Sequence, residues 1–552
     1  MSTPLEHAAP HPGLFEALFG GSRHGSLLAW ERNGYTRTSW AEVARDARGM
    51  ATTLRGAGVR PGARVAAVLD NSPAAVRGLA AIWMAGGVAA SLPLPARGVS
   101  TAEYGRQLTV LVQQLDPEVL LLGEALAERV PPEIRAALPV LPWSALAGDG
   151  HLDPSPPGPD ETAFVQYSSG STSVPKGCAL TPRAIATHLG MMLEMAHSTP
   201  GQETIACWLP LSHDMGVFGC LVNSWAYDFD LVLSTPERFA MAPRTWFRDM
   251  AEHQATMTAG TSTALRLATR AHGRTSLSRP LNLRVFVLGA ERVHWSAVRE
   301  ATERFAASGL APEAFMPAYG MAEATLALTA TPWDTLPSAR TFDGAALLDG
   351  RCVEVAADAD RAVPLVSNGP PLRGVTVTAG APGTTGEIVI DSPSLASGYY
   401  RDPGRTSERF VDGRLRTGDI GFLHDGELYV VGRADDLISV GGRKVYTSEV
   451  ECALDELDTL RKGCSVLVDV VVDDRSRLVL LTEPRRRQLD FQAVADEAAD
   501  VARRTSGVAV SECWFLERGV MPRTPSGKIQ RFRCRALVSG ERLATIARVS
   551  LG

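Results

Sequence analysis

A chain of 552 residues is long enough for about three or four structural units and a sizeable core, which excludes a single small module. With 45% hydrophobic and 21% charged residues the mix is that of a globular protein, not of a disordered, collagenous or coiled-coil chain. The formal charge of -6 comes from 55 basic and 61 acidic residues without a basic block, so neither nucleic acid nor an anionic membrane is an expected partner.

In chain order, the opening MSTPLEHAAPHPG puts Glu6 and three prolines where a signal peptide needs a basic end and an apolar run, so a cytoplasmic protein is expected. Residues 39–59 have helical apolar spacing, 63–70 read as a strand, 73–86 as a helix and VAASLPL as a strand. The charge-free stretch Gly78 to Ala96 holds Gly86-Gly87, Pro93 and Pro95, and is therefore read as a buried helix running into a strand, not a membrane span. This β-α-β alternation predicts an α/β fold with a doubly wound, largely parallel sheet. A proline-rich connector (151–161) precedes a strand at 162–169. From about 370 to 432 short strands and turns predict a β-rich subdomain. Beyond it, a helix at 447–457, strands at 464–472 and 477–482, a helix at 492–505 and a basic tail predict a separate α+β domain. Eight scattered cysteines without a C-x-x-C pair fit reduced thiols better than disulfides or a zinc site.

Lysine occurs only at Lys176, Lys444, Lys462 and Lys528, leaving 55 - 4 = 51 arginines. A GC-rich genome explains the bias but not the four exceptions, and a position that stays lysine is a candidate for one that needs a compact charge on a flexible stem. Lys176 closes Ser168-Ser-Gly-Ser-Thr-Ser-Val-Pro-Lys-Gly177 directly after a strand, where hydroxyls and backbone N–H groups can converge on an anion. The glycine spacing is not that of the Walker loop, and an ordinary turn is the plain alternative.

Together with this loop, PLSHDMG (210–216), LGAERV (288–293), AYGMAEAT (318–325), LRTGDIGFLHDGELYVVGRADDLISVGGRKVY (415–446) and PRTPSGKIQR (522–531) resemble the ordered signatures of the adenylate-forming enzymes. That superfamily includes acyl-CoA synthetases, nonribosomal adenylation domains and luciferases. The wording WLPLSHDMG, AYGMAEATLAL and FLHDGELYVVGR, with the extra segment between Thr331 and Gly369, is most similar to fatty-acyl-AMP ligases. The resemblance implies an N-terminal adenylation domain (1–434) of doubly wound sheets and a small mobile α+β C-terminal lid (435–552). The acyl-AMP-ligase-type insertion lies at about 331–369.

It also implies ATP and Mg2+ as cofactors, a carboxylic acid substrate with a fatty or other apolar chain, and an acyl carrier protein as acceptor of the activated acyl group. Ser168, Ser169, Gly170, Ser171, Thr172 and Lys176 would cradle phosphates, and Thr325 would touch one. Gly289, Ala290 and Glu291 with Tyr319, Gly320 and Met321 would line the adenine slot. Asp419, otherwise a turn carboxylate, would accept the ribose hydroxyls. Arg433, otherwise a surface arginine, would hold the nucleotide from the hinge side. Glu323, otherwise a solvated charge, would meet Mg2+. His213, a packed loop histidine on the plain reading, would orient the substrate. Lys528 would be the catalytic residue, neutralising the acid and the α-phosphate in the displacement of pyrophosphate. Asp435 would be the hinge on which Lys528 leaves and the Lys444 loop enters.

An acyl pocket is expected from His213, Asn223, Trp225, Tyr227, Gly260 and Thr261. The run Thr261-Ser-Thr-Ala-Leu departs from the Pro-Asn-Phe-Ala-Tyr of typical fatty-acyl-AMP ligases, and with Asn223, Trp225 and Tyr227 it predicts a short tunnel. Rival readings are an acyl-CoA synthetase, a kinase yielding ADP, an inert scaffold, and an enzyme for an unusual acid such as nitrous acid.

Overall fold

A computed structural model describes the chain apart from residues 1–12, 21–22, 96–99, 149, 168–175, 274, 360, 435–436, 441–442, 473–474, 524–528, 541–542 and 552. The expected Ser168, Ser169, Gly170, Ser171, Thr172, Asp435 and Lys528 therefore lie outside the described residues, as does the side chain of Lys444.

The first sheet orders six strands as Val140–Pro142, Val119–Leu122, Arg64–Val68, Val88–Leu92, Phe164–Tyr167 and Gly177–Leu180, parallel except for the last. Its central strands are apolar and buried along nearly their whole length, as a parallel sheet covered by helices on both faces requires. The second sheet has eight strands, Ala327–Ala330, Phe315–Gly320, Val285–Leu288, Met257–Gly260, Thr204–Cys207, Asp230–Leu233, Ser26–Glu31 and Gly34–Ser39. Its inner six run parallel and its two outer ones antiparallel.

Local chemistry starts the helices. Ser39 and Glu42 form a reciprocal capping box for Trp40–Gly56, and Val43, Ala47, Met50 and Leu54 bury its apolar face. The charge-free stretch is the buried helix Pro73–Met84 followed by the buried strand Val88–Leu92. No helix among the described residues is long and apolar enough to cross a membrane. A buried ion pair braces the second sheet: Arg238 contacts Asp249, Tyr35 donates to Asp249 at 2.7 Å, and the guanidinium lies 3.9 Å over Trp30.

Between the second sheet and the β-rich region, strands Ala339–Asp343 and Ala362–Val366 pair antiparallel around the short helix Gly344–Leu348. Phe342, Leu347 and Leu365 from this segment share a core with Phe422, Tyr429 and Val431. The β-rich region is a five-stranded antiparallel sheet of Thr376–Ala379, Gly386–Asp391, Phe410–Val411, Arg414–His424 and Glu427–Arg433.

The C-terminal part holds more than its sequence pattern suggested. Strands Leu460–Val472 and Arg475–Pro484 are joined by Glu512–Leu516 and Thr545–Ser550 in one four-stranded sheet. Alternation separates two cores: Leu467, Leu480 and Phe515 meet helices Thr447–Leu454 and Phe491–Ser506 on one face, while Val466, Leu481 and Trp514 meet helix Arg531–Ser539 on the other.

One buried carboxyl in this region sets a pH dependence. Burial lifts Glu449 to about 7, against a weaker opposing pull from Arg292. Between its ordinary value and about 7 the native chain keeps a proton that the unfolded chain has released, so this group's contribution to stability falls as pH rises. We predict that Glu449→Gln becomes progressively more stable than the parent between pH 5 and pH 8 in urea unfolding, a difference in which the other titrating groups cancel. A gap that stays constant with pH refutes this.

Candidate functional site

A cavity of about 560 Å3 opens where the second sheet, the β-rich sheet and the C-terminal region meet. It collects Lys176, His213, Asn223, Gly289, Ala290, Glu291, Tyr319, Gly320, Met321, Glu323, Asp419 and Arg433, residues spread over more than 250 positions of sequence.

Asp419 and Arg433 face each other across the hairpin of strands Arg414–His424 and Glu427–Arg433, with Arg433 Nε 3.3 Å from Asp419 Oδ1. The Tyr319 hydroxyl donates to Asp419 Oδ2 at 2.8 Å. Burial first, and the adjacent Asp419 charge second, hold the Tyr319 phenol well above its ordinary range, so it stays a donor at any ordinary pH. The backbone N–H of Asp419 donates to Thr417 Oγ1 at 3.0 Å, which fixes the turn of the Thr-Gly-Asp motif.

Glu323 accepts from the Tyr399 hydroxyl at 2.9 Å. Lys176 Nζ stands 5.5 Å from the centre of the Tyr399 ring. Burial pulls the Lys176 amine below its ordinary value while the Glu323 charge opposes the shift. His213 Nδ1 lies 2.5 Å from Asp214 Oδ1, and the backbone N–H of Met215 donates to that same oxygen at 2.7 Å. Met215–Val222 then coils as a π-helix, a widened turn that carries Gly219 along the cavity and ends beside Asn223.

Five expected residues do not line the cavity. Thr325 is fully buried, with φ of 70°, and donates to the Ser394 carbonyl at 2.9 Å. Trp225 stacks on Trp40 at 5.2 Å in the packing around the N-terminal helix. Tyr227 packs against Phe229. Gly260 is required by Trp246, whose ring stands 2.3 Å from where a Cβ would be. Thr261 caps helix Ser262–His272 by accepting from the Ala264 N–H at 3.1 Å. Ala259 and Thr263 from this segment reach the cavity instead. Sheet alternation and helix phase decide which residues of the run face inward.

The sequence reading also missed wall residues. Met192, Met195, Met215 and Met257 make one part of the wall soft and apolar. From the C-terminal region come Glu451, Cys452, Asp455, Arg523, Ile529 and Arg531. Two contacts seat that region on the second sheet: Arg266 on Asp455 at 3.1 Å, and Cys452 Sγ on His294 Nδ1 at 2.9 Å. Burial raises the Cys452 thiol to about 11 and lowers the His294 imidazole to about 3, so this is a contact of neutral groups, not a thiolate–imidazolium pair. No spacing rule marks these groups, because they converge only through the meeting of separate cores.

The architecture is that of an adenylate-forming enzyme. A fatty acyl-adenylate ligase solved in work on the E. coli and L. pneumophila enzymes superposes with a TM-score of 0.87 at 24% identity, covering 96% of this chain and 98% of that one. The adenylation, ketoreductase and pseudo Asub structure of a keto acid-selecting NRPS module superposes with a TM-score of 0.84 at 22% identity, covering 96% of this chain and 45% of that one.

Residues 21–400 match the AMP-binding enzyme family, and the chain belongs to it. 4-hydroxyphenylalkanoate adenylyltransferase of Mycobacterium marinum is 29% identical, covering 91% of this chain and 86% of its own. Long-chain-fatty-acid–AMP ligase FadD32 of Mycolicibacterium smegmatis is also 29% identical, covering 92% and 90%. These matches agree with the resemblance read from the motifs, and the chain is an adenylate-forming ligase.

Gly320 offers a direct test of the site's geometry, since a Cβ there would stand 1.8 Å from the Leu326 carbonyl oxygen, which is backbone and cannot step aside. Gly320→Ala must move Tyr319 relative to Asp419, and AMP affinity measured by calorimetry should fall by about tenfold or more, the equivalent of about 1.4 kcal/mol. Unchanged affinity would show that AMP does not use this wall.

Proposed function

We propose that the chain uses ATP to convert an apolar carboxylic acid to acyl-AMP with release of pyrophosphate, and then passes the acyl group to the phosphopantetheine thiol of an acyl carrier protein. The observation that carries this reading is the single cavity that joins the Asp419–Tyr319–Arg433 cluster and the Lys176–Glu323 pair to a methionine-lined apolar wall.

Asp419 lines the cavity, and the two acceptor oxygens of a carboxylate suit the paired hydroxyls of a ribose, which we assign to it. Gly289 to Glu291 and Tyr319 to Met321 line the cavity and are assigned to adenine, and Arg433 lines the same cavity. Lys176 places a cation at the end of the Ser168–Thr172 loop, which we assign to the phosphates. Glu323 faces the cavity as a carboxylate with one neutral partner, a donor set that suits Mg2+, which takes one or two carboxylates and completes its shell with phosphates and water. Bound there, Mg2+ would neutralise charge on the triphosphate. His213, held by Asp214, would orient the substrate carboxylate.

In the first step a carboxylate oxygen attacks the α-phosphorus and pyrophosphate leaves. Lys528 is assigned to offset the negative charge gathered there. Its described neighbours Arg523 and Ile529 both border the cavity. Asp435 is assigned as the hinge between 1–434 and 435–552, and the 331–369 insertion favours a carrier protein over free CoA. A medium, branched or aromatic acid in preference to a C16 chain is assigned from the sequence departures, of which Asn223 lies on the cavity wall and Trp225, Tyr227 and Thr261 do not.

Pyrophosphate release across C4 to C18 and aromatic acids tests the reaction and the pocket together, and a preference for palmitate-length acids would overturn the short pocket. Efficient acyl-CoA formation, seen by mass spectrometry, would overturn the acceptor assignment; ADP in place of pyrophosphate would overturn the reaction itself.

The two-step assignment makes opposite demands on two variants. Lys528→Ala should lose adenylate formation by about 100-fold or more and still transfer from supplied acyl-adenylate. Asp435→Pro, with φ held near -65°, should keep adenylation and lose transfer. Equal loss of both steps in both variants would refute the two-conformation scheme.

A further inference from the structure

Tyr399 touches two charged groups of the cavity wall without lining the cavity itself. Residues 396–400 run antiparallel to strand Gly177–Leu180. The Ser397 N–H donates to the Ala179 carbonyl and the Ala179 N–H to the Gly398 carbonyl, both at 2.9 Å, and the Tyr400 N–H donates to the Gly177 carbonyl at 2.7 Å. This register sets Tyr399 opposite Cys178. Residues opposite each other in an antiparallel pair share a face, and so do residues two apart along one strand. Lys176, two before Cys178, is thereby brought to the face of Tyr399.

One side chain therefore meets both motifs. The Tyr399 hydroxyl donates to Glu323 Oε1 at 2.9 Å, and Lys176 Nζ stands 5.5 Å from the centre of its ring, within reach of a cation–π contact. The residue is 6% exposed, with Phe410 edge-on to the ring at 5.6 Å, and its backbone N–H donates to Thr406 Oγ1 at 2.9 Å. Among the described residues, Lys176 and Glu323 form no ion pair with each other, although Glu323 attracts the ammonium and Arg409, Arg405 and Arg433 repel it. An arginine at position 176 would present a flat fork suited to close on the carboxylate through two hydrogen bonds. Lysine, kept at only four positions of the chain, gives a point charge that rests on the ring instead.

We propose that Tyr399 is a positioning residue that holds the Lys176 ammonium and the Glu323 carboxylate apart, so that the ammonium meets the phosphates of the nucleotide and the carboxylate meets the Mg2+ that accompanies them. This rests on the ATP-using reading above and adds a group that acts only through its neighbours. A direct ion pair would cancel both charges, depriving the phosphates of a cation and the metal of a carboxylate at once. A phenol hydroxyl fills part of the carboxylate's acceptor capacity without neutralising it, and a ring face receives the ammonium without taking its charge.

The test uses the full chain with two probes: α,β-methylene-ATP, which cannot release pyrophosphate, and adenosine, which has no phosphate. Dissociation constants are measured by calorimetry with Mg2+ present for the parent, Tyr399→Phe, Glu323→Gln and the double variant. Tyr399→Phe keeps the ring and removes only the hydroxyl. It should weaken the nucleotide analogue by about tenfold or more, leave adenosine within about twofold, and change the analogue by less than about twofold once Glu323 is already Gln. Unchanged analogue affinity, equal weakening of both probes, or losses that add in the double variant would overturn the proposal. If a variant does not fold, a crystal structure of the parent chain with Mg2+ and the analogue decides. Lys176 and Glu323 on separate parts of the ligand, with the Tyr399 hydroxyl on Glu323, would uphold the proposal. A direct Lys176–Glu323 pair, or a Tyr399 hydroxyl turned away from Glu323, would overturn it. The expected binding pattern without pyrophosphate release from ATP and any acid would uphold the role of Tyr399 and overturn the acid-activating reading, whereas no binding of either probe by the parent would overturn both.

Discussion

The hydrogen bond from Tyr319 to Asp419 holds together what the rest of the site requires. Tyr319 ends a strand of the eight-stranded sheet, and Asp419 sits in the long strand of the β-rich sheet opposite Arg433. A carboxylate taken out of water must find donors and countercharge, and here they come from two separately built sheets. Because the donors arrive from different directions, the sheets cannot slide without stranding the charge. A second tie repeats the logic: Glu323 accepts from Tyr399, the Ala396 N–H donates to the Glu323 carbonyl, and Thr325 donates to the Ser394 carbonyl. Residues 318–325 are thereby pinned at both ends against the β-rich region. Ala290 and Thr325 hold φ of 66° and 70°, a conformation uncommon for residues with a Cβ and kept where surrounding contacts impose it.

The C-terminal region completes the cavity by a different kind of contact. Its sheet has cores on both faces and packs within itself. Among the described residues, polar and partly buried pairs join it to the rest of the chain: Arg266 with Asp455 and His294 with Cys452 beside the large sheet, and Arg533 with Glu103 on helix Thr101–Leu115 of the first sheet. Such a boundary differs from the apolar interior of either part. Interfaces of this kind permit relative motion more readily than a shared apolar core does.

Within the cavity, chemistry is graded by its walls. Asp419, Arg433, Lys176 and Glu323 are mutually compensating charges, and the amine of Lys176 is lowered because burial outweighs its carboxylate neighbour. Toward Met192, Met195 and Met257 the wall turns apolar and deformable, able to fit chains of differing shape with little discrimination.

Much of this was legible in the sequence, and the failures have a common cause. The alternating pattern through residue 180 yields a parallel sheet because helical and strand periodicities are local, and Ser39 with Glu42 marks its helix start as clearly in sequence as in space. The motifs name Asp419, Arg433, Glu323, Tyr319 and Gly289 to Glu291, which the structure brings to one cavity from strand ends and the loops that follow them. The pocket wall was read less well. Ala259 and Thr263 line the cavity in place of the expected Gly260 and Thr261, and Trp225 stacks on Trp40. The strands Glu512–Leu516 and Thr545–Ser550 escaped notice because a short buried run and a polar edge strand show little periodicity. The sequence by itself determined the fold class, since helical and strand periodicities depend on neighbours along the chain. Only the tertiary structure decided which side chains face the cavity and that the C-terminal region walls it, because orientation depends on sheet alternation, helix phase and contacts between segments hundreds of residues apart.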